Sequence, residues 1–101
     1  MPIYSPKGMD EPLDPPRAKE LIRGILATGE TRFSKHALEE MAKDNLTTVD
    51  CVNVLRGGVV VPGESEKGSW RYRVRTARMT VVVAFRSEHR LVVVTAWREK
   101  R

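Results

Sequence analysis

Apolar residues recur with helical spacing along the first half of the chain and with strand-like alternation along the second. Ala18, Leu21, Ile22, Ile25 and Leu26 form one stripe at i, i+3, i+4, i+7 and i+8, the pattern of a helix that turns one side to a core. Asp14-Pro15-Pro16 supplies its start, a carboxylate for free backbone donors followed by two residues whose missing N–H costs nothing there. Gly29 suits a left-handed stop. After an extended link at Thr31–Phe33, Ser34 caps a second helix with Ala37, Leu38, Met41 and Ala42 as its buried face, ending near Asn45. Thr47 with Asp50 three residues on is a capping box with the shorter acid, and Val49, Val52 and Leu55 mark a third helix that stops at Gly57 and Gly58.

From there the pattern changes. Val59–Val61, Trp70–Arg75, Met79–Arg86 and Leu91–Arg98 are β-branched or aromatic runs separated by turn-forming segments, which predicts an antiparallel meander. Helices in one block and strands in the next predict an α+β domain with the N-terminal helices packed on one face of a C-terminal sheet. The last two strands read apolar on both faces and are expected at the centre. Five of the six prolines fall within the first sixteen residues, so residues 1–13 are expected to form a flexible arm and residues 14–101 a single domain.

Length and composition narrow the function classes. A chain of 101 residues has room for one core, which excludes a cofactor domain paired with a substrate domain. The longest apolar run, Val81–Phe85, is five residues, far short of the roughly 20 that span a bilayer. No secretory stretch opens the sequence, and a cytoplasmic location is expected. Cys51 is the only cysteine, so neither an internal disulfide nor a thiol metal cluster is expected. The net charge of +5 is unevenly placed: residues 1–56 carry eight Lys and Arg against nine acids, and residues 57–101 carry ten against four. Eight of those ten are Arg, whose planar fork suits phosphate and stacks on bases. An anionic partner is expected, nucleic acid first.

Alternation along residues 70–75 puts Trp70, Tyr72 and Val74 on one face and Arg71, Arg73 and Arg75 on the other. Three guanidiniums on one surface repel unless solvent screens them or a polyanion complements them. Arg78 in the following turn, with Arg86 and Arg98 near strand ends, extends the patch. Trp97 or Tyr72 can stack a base beside it, although core filling is the commoner use of such aromatics. His36 lies in the first turn of the second helix and is the side chain best able to exchange a proton near neutral pH. The helix N-terminus favours its neutral form and Glu40, one turn on, its charged form. His89 falls in a turn. No phosphate-binding glycine loop, nucleophile elbow or carboxylate–histidine metal set occurs, and neither a cofactor nor a metal is expected.

The run Phe33-Ser34-Lys35-His36-Ala37-Leu38-Glu39 resembles a widespread bacterial family of small RelE-like domains related to the BrnT and MqsR toxins. The likeness continues through Met41, Leu46-Thr47, Asp50, Leu55 and Gly57, then Tyr72-Arg73-Val74 and Val92–Trp97, covering about residues 31–98. It implies a RelE/barnase-like fold and, in many toxin relatives, RNA cleavage without a metal. On that likeness His36 is a candidate acid or base, Arg73 a phosphate clamp and Thr95 a residue lining the site. One departure stands beside the presumed centre: Glu40 occupies a position where that family often has Arg.

The leading expectation is therefore a toxin-type endoribonuclease. His36 would perform one proton transfer, Arg71, Arg73 or Arg75 would stabilise the phosphoryl oxygens, and Tyr72 is the available second proton carrier. Arg71, Arg75, Arg78, Thr95 and Trp97 would bind the RNA. The partners expected are RNA, including RNA on the ribosome, and an acidic antitoxin, with no membrane. Two rivals stand beside it, a module that binds nucleic acid and cleaves nothing, and a protein-binding partner domain.

Overall fold

The computed structural model describes residues 9–100, and the domain is α+β. Helix α1 spans Pro15–Thr28. Asp14 caps it, its side chain accepting the Arg17 N–H, and Ala18, Ile22 and Ile25 are buried on the expected stripe. Gly29 ends the helix in an extended conformation rather than the expected left-handed one. Its need for glycine comes from close approach instead, since a Cβ there would collide with the His89 carbonyl.

The expected link is a strand, β1 (Glu30–Phe33), and it runs parallel to the last strand of the sheet. Helix α2 (Lys35–Lys43) starts at the Ser34 cap and buries only Ala37 and Met41. Leu38, expected inside, is 48% exposed, and Ala42 is exposed as well. The cause is position: α2 lies along the edge of the last strand that β1 leaves bare, so only a narrow side of it meets the core. Ser34 N–H donates to the Val93 carbonyl at one end of this edge, and the Asp44 carboxylate accepts the Arg98 N–H at the other. Helix α3 (Thr48–Gly57) begins with the capping box of Thr47 and Asp50, both reciprocal bonds being made. It buries Cys51, Val54 and Leu55, while Val49 faces solvent at 65% exposure, so the inward stripe lies further round the helix than Val49 suggests.

Strands β2 (Val59–Val60), β3 (Glu64–Glu66), β4 (Ser69–Arg75), β5 (Met79–Ser87) and β6 (Arg90–Arg98) complete the sheet in the order β1-β6-β5-β4-β2, with β3 pairing the outer half of β4. The β4-β5-β6 meander is antiparallel as expected, and β1 makes the whole sheet mixed. Every residue of β5 from Met79 to Phe85 is buried, which fits its central place. Helix α1 packs against α3 and touches β1, β2 and β6, while α3 reaches β4 and β5. Between these helices and the sheet lie Ile22, Ile25, Leu55, Tyr72, Val74, Val81, Val83, Leu91 and Val93, all at most 1% exposed.

Of the expected arm, residues 1–8 lie outside the described residues. Residues 9–13 are fixed: Met9 and Leu13 pack on the core, and the Tyr72 hydroxyl accepts from the Leu13 N–H (3.0 Å) and donates to Glu11 (2.8 Å). Among the described residues no helix is long and apolar enough to cross a membrane.

Candidate functional site

Strand β4 divides its side chains between the two faces of the sheet. Tyr72 and Val74 enter the core, so Arg71, Arg73 and Arg75 emerge on the face that α1 and α3 leave open. Val82 of β5, 7% exposed and directly opposite Arg73, forms an apolar floor there. On β6 the register slips, Val83 pairing with Val93 but Val82 with Thr95, which leaves Val94 as the extra residue of a bulge. Its carbonyl accepts the Ser34 hydroxyl at 3.1 Å. Because of that extra residue Val94, Thr95 and Trp97 all border the open face, while Ala96 stays in the core.

The same Ser34 that anchors the bulge caps α2, which brings His36, two residues on, over Thr95 at the rim. His36, Arg71, Arg73, Thr95 and Trp97 thereby line one concavity of about 210 Å³. They come from α2, β4 and β6, and their convergence is a property of the fold rather than of any local motif.

Three expected site residues are placed elsewhere. Tyr72 is fully buried on the helix side, its hydroxyl held by Glu11 and Leu13, so it is a core residue and not a proton carrier for this concavity. Burial pushes its phenol well above the usual tyrosine range, with the adjoining Glu11 carboxylate acting in the same direction. Arg75 is exposed near the far end of β4, opposite Val59 and Thr80, and does not line the concavity. Arg78 borders a different one, with Arg98, Glu99 and Lys100.

Two residues in the site carry no signal in the hydrophobic pattern. Glu64 and Glu66 sit on β3, which folds back on β4 through a two-residue turn with Lys67 at φ 52° and Gly68 at φ 77°, both left-handed as such hairpins require. Glu66 Oε2 lies 3.6 Å from Arg71 Nη1, and Glu64 Oε1 lies 3.6 Å from Arg73 Nη2. The repulsion within the arginine row is thus relieved from inside the chain, a solution outside the expected choice of solvent or polyanion. The sequence cue is the Lys67-Gly68 turn, which sets alternating glutamates facing alternating arginines.

These pairs leave donor capacity unused. Arg71 Nε is buried and bonds nothing among the described residues, and its side chain is 26% exposed. The Trp97 indole N–H donates to Glu99 Oε2 at 3.0 Å, and the Thr80 hydroxyl donates to the same oxygen, so the ring is pinned at the wall. Glu40 turns to Lys43, 2.7 Å away, whose donated hydrogen bond holds the carboxyl below its usual range, with His36 adding in the same direction. Cys51 is buried away from all this, and desolvation pushes its thiol up to about 11. Among the described residues no cluster of three His, Cys, Asp or Glu side chains is placed to hold a metal. His89 is exposed in its turn, and its carbonyl accepts the Glu30 N–H.

The arrangement offers a concavity of two guanidiniums, an imidazole, two carboxylates and a hydroxyl over an apolar floor. No curated protein and no solved structure matches the chain. A family model does, over residues 33–98, two thirds of the sequence and every residue that lines the concavity. The chain belongs to the family described as a domain of unknown function, DUF4258.

Proposed function

We propose that this domain is an endoribonuclease of toxin type that cleaves RNA by acid–base chemistry at the His36–Arg71–Arg73 concavity. One observation carries the reading: an imidazole, two guanidiniums and two carboxylates from separate elements share a single small hollow on the sheet face left open by α1 and α3. The likeness of Ser34–Glu39 and Tyr72–Val74 to RelE-like toxins supports the same chemistry.

A backbone phosphate enters as acceptor for Arg71 and Arg73 and displaces Glu66 and Glu64. Partly exposed ion pairs of this kind contribute about 0.2–1 kcal/mol each, less than a bidentate guanidinium–phosphate contact returns. A freed carboxylate, Glu64 or Glu66, then takes the ribose 2′-hydroxyl proton, and the 2′-oxygen attacks the adjacent phosphorus. The P–O5′ bond breaks, His36 in its imidazolium form gives the 5′-oxygen its proton, and a 2′,3′-cyclic phosphate remains. Charge on the phosphoryl oxygens is met by Arg71 and Arg73. This pairing of carboxylate and imidazole fills the role left open once Tyr72 is withdrawn. In this reading the protein acts in the cytoplasm on RNA, including RNA on the ribosome, and an acidic antitoxin masks the same arginines.

Glu40 favours a second reading, a module that holds RNA without cutting it, because it puts a negative charge close to the hollow where the resembled family often has Arg. Incubation of the purified protein with RNA separates the two. Fragments ending in cyclic phosphate, formed undiminished in the presence of a chelator, are expected of the nuclease. Salt-dependent binding with intact RNA identifies the module.

A further inference from the structure

A second concavity, of about 490 Å³, adjoins the first at Trp97 and Glu99 and is lined by Ala77, Arg78, Arg98, Glu99 and Lys100. Its frame is well held. Thr76 Oγ1 accepts the backbone N–H groups of Arg78 and Met79, and the Glu99 N–H donates to the Arg78 carbonyl at 2.7 Å, tying the β4–β5 turn to the end of β6. The charges in the two hollows differ. In the first, each guanidinium has a glutamate partner. In the second, Glu99 is the only acid among the described residues that line it, and one oxygen of its carboxylate accepts from the Thr80 hydroxyl and the Trp97 indole. Arg98 donates to the Asp44 and Asn45 carbonyls, and the Asp44 carboxylate takes the Arg98 backbone N–H. Arg78 and Lys100 pair with no acid among the described residues. The stronger positive field therefore lies beside the cleavage hollow rather than in it.

We infer that this second hollow is a phosphate subsite for a neighbouring backbone phosphate of the same RNA strand, so that the ligand is a single strand lying across Trp97. The inference rests on the RNA-cleaving reading for the class of ligand. From Thr95 to Arg98 the strand rises about 10 Å at 3.3 Å per residue, so the two hollows lie close enough to take phosphates of one strand. An aromatic ring between two cationic stations is the arrangement that holds a base between two phosphates. Glu64 and Glu66 weaken capture at the cleavage hollow, and Arg78 with Lys100 supplies the missing attraction nearby.

Arg78→Ala with Lys100→Ala is the test, since neither side chain makes a hydrogen bond or ion pair that holds the fold, whereas Arg98 does. Binding of a fluorescent 2′-O-methyl oligouridylate of about a dozen nucleotides, which cannot be cleaved, is measured by anisotropy across a salt series. The slope of log K against log salt is expected to fall by about 0.7 in the double variant, the value for one lost phosphate contact on a single strand. Equal slopes for the double variant and the parent overturn the subsite. A parent protein without salt-dependent affinity overturns both the subsite and the RNA reading, whereas binding with no cleavage of the unmodified strand removes catalysis alone and leaves the slopes to decide the subsite.

Discussion

If the domain cleaves RNA as proposed, His36→Ala is expected to lower the rate of cleavage by about 10²–10⁴-fold, the loss that follows removal of a positioned proton donor. The substitution is well suited to the question because the ring is exposed at the rim of the hollow, while the Ser34 cap and the buried Ala37 and Met41 that hold α2 are untouched. The unfolding free energy should therefore stay within the scatter of surface substitutions, about 0.5 kcal/mol. Arg73→Ala should cost a further separate loss of about 10²–10³-fold, the usual effect of deleting one donor to a developing oxyanion. Combined, the two are expected to fall short of the product, since acid and clamp act on one transition state. Single-turnover cleavage of an end-labelled RNA at saturating protein reads the chemical step directly. An unchanged rate in His36→Ala with the fold intact would remove the histidine from the reaction.

The opposite pattern is expected at Tyr72. Tyr72→Phe keeps the ring against Phe85, 5.2 Å between centroids, but leaves the Leu13 N–H and the Glu11 carboxylate without their shared partner. The cost is about 1–3 kcal/mol, and the proposed cleavage is expected to keep the parent rate because the hydroxyl lies across the sheet from His36. Tyr72→Ala also empties a fully buried site and should cost about 3–5 kcal/mol or more, a large part of the roughly 5–15 kcal/mol that holds a domain together. Urea unfolding of the three proteins checks the order. Alkaline pH adds a sign. Burial raises the phenol in the folded chain, so Tyr72 gives its full contribution below the unfolded tyrosine pKa of about 10 and loses it as the pH climbs above that. The alkaline limb of the stability curve should therefore be shallower in Tyr72→Phe. A Tyr72→Phe protein that is stable yet inactive would restore the tyrosine to the site.

Features whose causes are local in sequence were legible. Asp14-Pro15-Pro16, Ser34 and the Thr47–Asp50 box start helices by bonds within three residues, and the structure makes each of them. The alternation in β4 separated Tyr72 from the arginines, and naming Tyr72 as a proton carrier beside them ran against it. What stayed hidden depends on contacts made far along the chain. The bulge at Val94 needs Ser34, sixty residues earlier, to take its carbonyl. The parallel pairing of β1 needs β6, and a four-residue stretch as polar as Glu30–Phe33 carries little periodicity by which to announce a strand. The β3 run Glu64-Ser65-Glu66 is polar on both faces and exposed throughout, so only its turn betrays it. Leu38 and Val49 fit an apolar stripe in sequence, yet what each helix packs against decides which part of that stripe is covered.

The candidate site divides the same way. His36, Arg71, Arg73 and Trp97 could be named from residue type and strand alternation, and Thr95 from the resemblance, but their meeting in one hollow depends on the edge position of α2 and on the bulge. Arg75 and Arg78 share the charge of that row without its location, because the row runs along β4 toward a different end of the sheet.

The proposed convergence of His36, Arg71 and Thr95 on an RNA phosphate is tested most directly by nitrogen-15 spectra recorded as a non-cleavable 2′-O-methyl strand is added. The Arg71 Nε–H, the Trp97 indole N–H and the amides of His36 and Thr95 should shift together and saturate at one concentration, while the amide of Leu13 behind the sheet stays still. Saturating RNA binding that leaves those four signals in place and moves others would contradict the account.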